Sequence, residues 1–368
     1  MPTPLNVAVI AHVRHAIAPP FMGGMEVHAD LVVRQLLANG HRVTLFASAD
    51  SDAGLPVHAI CATGYERELP WAEWRGTPRH RQWLNDAYER CWIAVRAGGF
   101  DIVHNNALFP DLHDWALRDR RAMVTSLHIP PFAELADAIG RADAPWLRYT
   151  VTSRSQLSSW SQVAEGRTDV AWNGIDLSSW RLHPHGNNRA IWMGRLTPTK
   201  GTVEALRACQ IAGIGLDIVG PVECDAYFTK VVAALGPDDR YIGHLSGEAL
   251  ANVVGAASVA IATPMWDEPF GLTVVEAMAC GVPVAALDRG AMREVIGDAG
   301  RIARSVDRLP TAILSALRAD RAAQRRRIAD HFTASAMVAR YESAYAAAMS
   351  ALDPARASRI ANTEALLA

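Results

Sequence analysis

Apolar runs of about five residues alternate with helical patterns in the first part of the chain. Residues 5–11 form a continuous apolar run typical of a strand buried on both faces, and residues 26–38 predict a helix that ends at Asn39-Gly40. The same alternation continues through 43–47, 100–104, 110–119 and 122–126. This order of elements predicts a parallel sheet with helices on both faces.

A second series of apolar runs begins near residue 189. Its members are 189–193, 215–219, 240–242, 258–262 and 282–286. They predict a second α/β sheet, and the polar, turn-rich residues 173–188 are the predicted join between the two. The pattern is only helical from about residue 307, and residues 334–350 carry apolar positions at helical spacing, with Tyr341 and Tyr345 among them.

The composition indicates a globular protein and excludes several classes. Half of the residues (50%) are apolar and 20% are charged, while 36 basic residues against 38 acidic ones give a net charge of −2. Such a balance offers no global field for holding nucleic acid. The five cysteines show no two-residue spacing, which argues against a disulfide framework and a zinc knuckle. We find no transmembrane stretch and no signal peptide pattern, so a cytoplasmic location is expected.

Two loops could bind a phosphate, and each follows the first strand of one of the two series. Gly23 and Gly24 follow the first strand of the chain, where backbone N–H groups could approach an anion closely; a plain turn explains the pair equally well. Arg195 and Lys200 follow the first strand of the second series. Two cations five residues apart would repel each other unless an anion such as a diphosphate joined them, although two solvated side chains remain the alternative.

The stretch 266–281 carries most of the candidate chemistry. Pro269 favours a helix start there, and Gly281 supplies the stop. A carboxylate at Glu276, inside this apolar helix, needs donors such as sugar hydroxyls unless it forms a structural salt bridge. Glu268 precedes the helix and could reach the same region. Unpaired N–H groups suited to a phosphate are expected at Phe270, Gly271, Leu272 and Thr273.

Three other features are less decisive. His128 ends a predicted strand at the rim where open α/β sheets bind ligands, but a histidine without a role fits that position as well. Asp50 and Asp52 have a spacing that some sugar-nucleotide enzymes use for a metal, and a solvated loop is the preferred interpretation. The Trp- and Arg-rich residues 65–96 could bind an acceptor, a membrane surface or nucleic acid; an amphipathic helix pair over its own core is preferred.

Taken together these residues resemble the family 4 retaining glycosyltransferases. The motifs that carry the resemblance are Gly23-Gly24, Gly40-His41, the Phe-Asp-Ile-Val-His run at 100–104, His128, the Asn-Gly-Ile-Asp run at 173–176, Arg195 with Lys200, and the two glutamates seven residues apart in 268–276. The resemblance implies an α/β fold of the GT-B type, with two Rossmann-like domains facing across a cleft. It places an N-terminal acceptor domain at 1–172, a C-terminal nucleotide-sugar donor domain at 173–332, and a last helix, 333–368, that packs back on the first domain.

The resemblance also implies a hexosyltransferase-type activity (EC 2.4) that moves a sugar from a nucleoside-diphosphate sugar to an unidentified acceptor with retention of configuration. In such enzymes Arg195 and Lys200 would hold the diphosphate, Glu276 the ribose hydroxyls and Glu268 the donor sugar. The amides around residues 270–272 would meet the sugar and phosphate, Gly24 would approach the phosphate, and His128 would lie near the reacting sugar. The implied catalytic set is His128, Glu268, Arg195 and Lys200.

Neither a metal nor a cofactor is implied. The expected partners are a nucleotide sugar and an acceptor that is a glycan, a lipid-linked sugar or a small molecule; nucleic acid is not expected, and a peripheral membrane contact stays open. Two alternatives remain at this stage: a non-catalytic sugar-nucleotide binding or regulatory subunit, and an epimerase or phosphorylase built on the same scaffold.

Overall fold

The computed structural model describes residues 3–160 and 163–354. The chain forms two compact units. The first runs to Thr152, resumes over Gln156–Ala171 and takes in the last helix from Met337 on; the second comprises Ser153–Ser155 and Trp172–Ala336. The predicted helix over 333–368 extends past the described residues, and its part after residue 354 lies outside them.

The first unit is built on one parallel sheet. Its strands are β1 (Asn6–Ile10), β2 (Arg42–Ser48), β3 (Val57–Cys61), β4 (Ile102–Asn105), β5 (Met123–Leu127), β6 (Leu147–Val151) and β7 (Thr168–Val170). Its helices are α1 (Gly24–Ala38), α2 (Trp71–Trp74), α3 (Pro78–Ala97), α4 (Asp111–Arg118), α5 (Ala133–Arg141) and α6 (Arg154–Trp160), of which α6 begins in the second unit. The strand order is β3-β2-β1-β4-β5-β6-β7.

The second unit repeats this design. Its strands are β8 (Ala190–Met193), β9 (Leu216–Val219), β10 (Arg240–Gly243), β11 (Val259–Ala262), β12 (Val284–Leu287) and β13 (Arg301–Ala303). Its helices are α7 (Thr202–Ala212), α8 (Asp225–Ala234), α9 (Gly247–Ala256), α10 (Leu272–Ala279), α11 (Met292–Ile296), α12 (Leu309–Ala316) and α13 (Arg321–His331). The sheet is parallel, in the order β10-β9-β8-β11-β12-β13. Short 3₁₀ turns cover Tyr65–Arg67, Pro198–Lys200 and Val306–Arg308.

Both sheets contain a point where the strand order reverses. In the first sheet β1 lies between β2 and β4, and in the second β8 lies between β9 and β11. Open α/β sheets bind ligands beyond the carboxyl ends of the strands at such points. The loop with Gly23 follows β1 and the loop with Arg195 follows β8. Each sheet therefore presents one candidate loop at its own switch point.

The last helix, α14 (Ala334–Leu352), completes the core of the first unit. From Met337 on, its apolar side chains join one face of the first sheet, where Val338 and Tyr345 are fully buried with Val7 and Val9 of β1. Burial of this kind stabilises a helix far more than its intrinsic propensity does. None of the helices in the described part of the chain is both long and apolar enough to cross a membrane.

The predicted join at residues 173–188 begins directly after the boundary between the two units, which lies between Ala171 and Trp172, and the segment itself has backbone partners in the second unit. Ile175 N donates to Phe332 O at 2.9 Å, and His183 N donates to Cys280 O at 3.0 Å. Its polar, turn-rich composition reflects an irregular segment with fixed backbone partners rather than a linker. The sequence patterns also did not predict β3, β6, β7 and β13. Of these, β3, β7 and β13 are edge strands that adjoin only one other strand, whereas β6 lies between β5 and β7.

Candidate functional site

In the second unit, a cation and a carboxylate from two strand-end loops form an ion pair. Lys200 Nζ donates to Glu268 Oε2 at 2.7 Å, and Trp266 Nε1 donates to the same oxygen at 2.9 Å. The ammonium also lies 5.4 Å from the centroid of the Trp266 ring, within the range of a cation–π interaction. The side chains are 24% and 13% exposed, respectively. The structure thus brings together two residues that the sequence predicted and adds Trp266, which it missed.

Close backbone contacts fix both halves of this pair. Gly201, next to Lys200, has a φ of +67°, and a Cβ there would lie only 2.2 Å from Thr263 O. Thr263 Oγ1 in turn donates to Gly201 O at 2.7 Å. On the other side, Gly290 has a φ of +55°, and a Cβ there would lie 2.3 Å from Glu268 O. The two charged side chains are therefore presented by loops with little freedom to move.

Arg195 is paired as well, but with a different carboxylate. Its Nη1 donates to Glu223 Oε2 at 2.6 Å, and the two side chains are 41% and 27% exposed. Each of these two cations is therefore paired with its own carboxylate, which relieves their mutual repulsion without a shared anion, and a diphosphate held by both stays a prediction. Glu223 lies in the loop after β9, and no sequence pattern linked it to Arg195. An arriving diphosphate would compete with carboxylates for both cations.

The amino end of α10 offers unpaired backbone donors. Gly271 precedes the helix with a φ of +91°, and a Cβ there would lie 2.3 Å from Met292 Cε. The helix consequently begins at Leu272 rather than near Pro269, which corrects the predicted start. The backbone N–H groups at residues 270–273 donate to no other residue in the described ranges. Such donors at a helix start attract anions.

Glu276 lies in the middle of α10 and lacks the salt bridge that the sequence left open. Within residues 3–160 and 163–354, its carboxylate makes no hydrogen bond or ion pair. Burial raises its pKa to about 7. A desolvated carboxylate without a donor is costly unless hydroxyl or amide groups from a ligand reach it. As predicted, Gly281 follows the end of the helix, with a φ of +78°.

In the first unit, the loop with Gly23 lies against a carboxylate, that of Glu26, which was not among the predicted site residues. Gly23 is the residue before α1 and is extended, with a φ of −165°, so the helix begins at Gly24. A Cβ at Gly23 would lie 3.1 Å from Glu26 Oε2, and Glu26 is buried. A glutamate in the first turn interacts favourably with the helix dipole. The loop predicted as open amide groups is therefore partly occupied by a side chain of its own helix.

His128 follows β5 and is 9% exposed. Its Nε2 lies 3.2 Å from Asn106 Oδ1, and its ring packs edge-on against His28 with centroids 4.3 Å apart. Burial lowers the pKa of His128 to about 4, so the imidazole is neutral at pH 7. A neutral imidazole can accept a hydrogen bond at one nitrogen and donate one at the other.

Comparison with known families assigns both units. Residues 22–179 match the model described as Glycosyltransferase Family 4, and residues 178–329 match the model described as Glycosyl transferases group 1. The two models cover one unit each, and both describe glycosyltransferases. The recognition made from the motifs is thereby confirmed, and so is the activity class, a glycosyltransferase.

The chain is also similar to other glycosyltransferases, and solved structures share its fold. A D-inositol 3-phosphate glycosyltransferase of Mycolicibacterium smegmatis is 27% identical, with 88% of each chain covered. The fold is shared with a sucrose-phosphate synthase of Thermosynechococcus elongatus (TM-score 0.75, 19% identity, 93% and 98% covered). It is also shared with Anabaena HepE, solved in complex with UDP and glucose (TM-score 0.68, 15% identity, 92% and 98% covered). The predicted GT-B fold class is confirmed.

The first unit of this glycosyltransferase also contains a buried histidine cluster that sequence reasoning did not assemble. His28 Nε2 lies 2.8 Å from the Tyr341 hydroxyl, and His104 Nδ1 forms a short hydrogen bond with the Tyr345 hydroxyl. Burial lowers the pKa of His104 to about 3 and that of His28 well below its usual range. The residues that meet are more than two hundred positions apart in the chain, so no local pattern could reveal the contact.

The remaining predicted features of the glycosyltransferase have ordinary surroundings. Asp52 Oδ2 accepts from Arg34 Nη2 at 2.5 Å, and its Oδ1 accepts from Gly54 N at 2.9 Å. Among the residues that the structure describes, no group of three or more His, Cys, Asp or Glu could hold a metal ion. In the segment 65–96, Trp92 is buried in the core and Trp83 packs against it, as the amphipathic helix pair requires.

Proposed function

We propose that this glycosyltransferase takes its sugar from a nucleoside-diphosphate sugar held by the second unit. The observation that carries the proposal is the Lys200–Glu268 pair. It is followed along the chain by the amide groups of residues 270–273 and by the Glu276 carboxylate, none of which has a partner among the residues that the structure describes. This set supplies a cation, anion-binding amides and an acceptor for hydroxyl groups. A nucleoside-diphosphate sugar is a ligand that needs all three.

The chemical role of the cations follows from the charges that develop. The bond between the anomeric carbon and the diphosphate oxygen breaks, and its electron pair stays on that oxygen. The acceptor hydroxyl forms the new bond to the carbon, and its proton passes to the departing diphosphate. Lys200 and Arg195 would stabilise the departing diphosphate, and a preorganised donor of this kind contributes about 2.7–4 kcal/mol to a transition state. The carboxylates that now hold them would be displaced by phosphate oxygens.

The other predicted residues take the remaining groups of the donor. Glu276 would accept hydrogen bonds from the ribose hydroxyls, and Glu268 from the transferred sugar. Gly24 would let the backbone of the first unit approach the phosphate. His128, neutral at pH 7, would hydrogen-bond to the reacting sugar. Each of these roles is part of the proposal and is supported by the resemblance; for Glu276, the lack of a hydrogen-bond donor among the described residues supports it as well.

The proposal is tested by ligand binding and by turnover. HepE was solved with UDP, so UDP and UDP-sugars belong in a thermal-shift panel beside the ADP, GDP and TDP series. A ligand that binds the native state raises the melting temperature by mass action. We expect one base series to shift the melting temperature by several degrees, and the matching sugar nucleotide to be hydrolysed slowly. No shift with any nucleotide would contradict the proposal, and binding without hydrolysis or transfer would favour a non-catalytic role.

Retention of configuration, metal independence and the acceptor are further parts of the proposal. We expect proton NMR of the first-formed product to show the anomeric configuration of the donor, and we expect full activity in excess EDTA. The relative that acts on D-inositol 3-phosphate makes that compound a useful first acceptor to assay. An inverted product, or activity that returns only with a divalent ion, would contradict the respective part.

A further inference from the structure

The histidine cluster of the first unit contains a chain of hydrogen bonds whose directions can be worked out. Within the described residues, the Tyr345 hydroxyl has one hydrogen-bond partner, His104 Nδ1. Both side chains are fully buried, so an undonated hydroxyl proton would be costly. The Tyr345 hydroxyl therefore donates to Nδ1. Because His104 is neutral, its proton must sit on the other ring nitrogen, Nε2.

The proton on His104 Nε2 then fixes the orientation of Asn106. That nitrogen lies 3.0 Å from Ser126 Oγ and 3.2 Å from Asn106 Oδ1. This N–H group needs an acceptor. If the NH₂ end of the Asn106 amide faced it, two donors would oppose each other. The oxygen end must therefore point toward His104. The backbone of Asn106 is held in place because its N–H donates to Ile10 O at 2.8 Å.

The same oxygen decides which nitrogen of His128 carries a proton. Asn106 Oδ1 lies 3.2 Å from His128 Nε2, and an oxygen can only accept. His128 Nε2 must be protonated, which leaves the lone pair on Nδ1. Nδ1 makes no hydrogen bond to any described residue, and it is not among the buried atoms without a partner. It is therefore the nitrogen of His128 with a lone pair that no described residue occupies.

We propose that Asn106 is a positioning residue for His128, and that Tyr345 and His104 act through it to hold His128 in the Nε2–H form with Nδ1 free to accept a hydrogen bond from the substrate. This inference rests on the proposed role of His128 near the reacting sugar. It adds a prediction about tautomer and orientation that donor binding alone would not require.

The first experiment reads the tautomer directly. Long-range ¹H–¹⁵N correlation spectra of protein labelled at histidine distinguish Nε2–H from Nδ1–H, and His128→Gln identifies the signals of His128. We expect the Nε2–H form in the wild type and a mixture of tautomers in Asn106→Leu. This readout needs neither substrate nor turnover. An Nδ1–H form in the wild type would overturn the inference even if the proposed donor chemistry were correct.

The second experiment measures donor hydrolysis or transfer. Asn106→Leu should lower kcat about tenfold or more, with the donor KM within twofold of wild type. Asn105→Leu is the matched control, because Asn105 is also buried but its side chain hydrogen-bonds to Thr125 Oγ1 and Ala107 N rather than to His128. An unchanged kcat in Asn106→Leu, with His128→Gln impaired, would refute the positioning role while leaving the proposed function intact.

Asn106→Asp provides a variant that keeps the acceptor and changes the charge. A carboxylate at this position would favour the protonated imidazole, so the pH below which kcat declines should rise by about one unit. The titratable groups around His128 are His12, His28 and His104, all of which burial keeps neutral at pH 7. A pH profile identical to that of the wild type would count against the contact between residue 106 and His128.

Discussion

The candidate residues of the two units differ in how their polar groups are satisfied. In the second unit, Arg195 and Lys200 are held by carboxylates at partly exposed positions. In the first unit, His128 and its neighbours are neutral, buried and joined in a hydrogen-bond chain that ends on α14. The cations of the second unit can exchange their carboxylate partners for an arriving anion. The buried network of the first unit instead holds His128 in one orientation.

The energetics support this division. Partly exposed ion pairs contribute about 0–1 kcal/mol, so a diphosphate that offers several charged oxygens can displace Glu223 and Glu268 at little cost. Buried polar networks are expensive to break because each freed group loses its partner without regaining water. Binding energy for the donor should therefore come mainly from the second unit. The first unit should influence the rate of the chemical step more than the affinity.

Lys200→Ala is the strongest test of the proposed difference between the two units. The change removes the cation from the diphosphate site and leaves Glu268 to repel the ligand, so kcat/KM for the donor should decline by about a hundredfold or more. Lys230→Ala is the control, because Lys230 is the other lysine of the chain and is exposed on α8. Steady-state kinetics with the preferred donor measure both. Similar kcat/KM values in the two variants would remove Lys200 from the site.

His128→Gln tests the opposite half of the comparison. We expect kcat to decrease by about a hundredfold, the lower range for loss of a positioned acid–base or hydrogen-bonding group, with nucleotide affinity nearly unchanged. Kinetics give kcat, and titration calorimetry with the nucleoside diphosphate gives the affinity. A variant that lost affinity as strongly as Lys200→Ala would show that the division between the units is wrong.

Arg195→Ala should have a smaller effect than Lys200→Ala. Arg195 is more exposed than Lys200, and solvent screens its interaction with the phosphate more effectively. We expect kcat/KM to decrease by about tenfold, with a stronger dependence on salt in the wild type than in the variant. Measurement at two ionic strengths checks both statements. Equal losses for the two variants would indicate that burial does not separate their roles.

The sequence predicted the repeating α/β pattern, the family and the stretch around Glu268 and Glu276, because these depend on short-range periodicity and on motif spacing. It did not predict that Glu223 pairs with Arg195, which depends on how the ends of β8 and β9 are placed. Nor could it assemble His28 with Tyr341, which are 313 residues apart. Contacts of this kind come from the tertiary structure and leave no local signal.

The pH dependence of nucleotide binding isolates Glu276. Burial raises its pKa from the ordinary carboxyl value to about 7, so the free protein carries this proton at pH 6 and has lost most of it at pH 8. Ribose hydroxyls donate to the ionised form. Affinity should therefore rise by about tenfold between pH 6 and pH 8. Glu276→Gln, measured in parallel by calorimetry, should lose this pH dependence. It should retain only the pH dependence that comes from the nucleotide's own phosphate. Parallel pH profiles would mean that Glu276 does not meet the ligand.

The last prediction concerns stability rather than activity, and it compares one tyrosine from each unit. Tyr345→Phe removes the donor to the buried His104 Nδ1 and leaves that nitrogen without a partner, which should cost about 1–3 kcal/mol. Tyr241→Phe removes a donor to Gly220 O at 2.9 Å, but Tyr241 is only partly buried, so water can replace it and the cost should be about 0.5–1 kcal/mol. Urea unfolding of both variants measures the difference. A Tyr345→Phe protein as stable as Tyr241→Phe would mean that water reaches His104, and the first unit would then lack the dry network that separates it from the second.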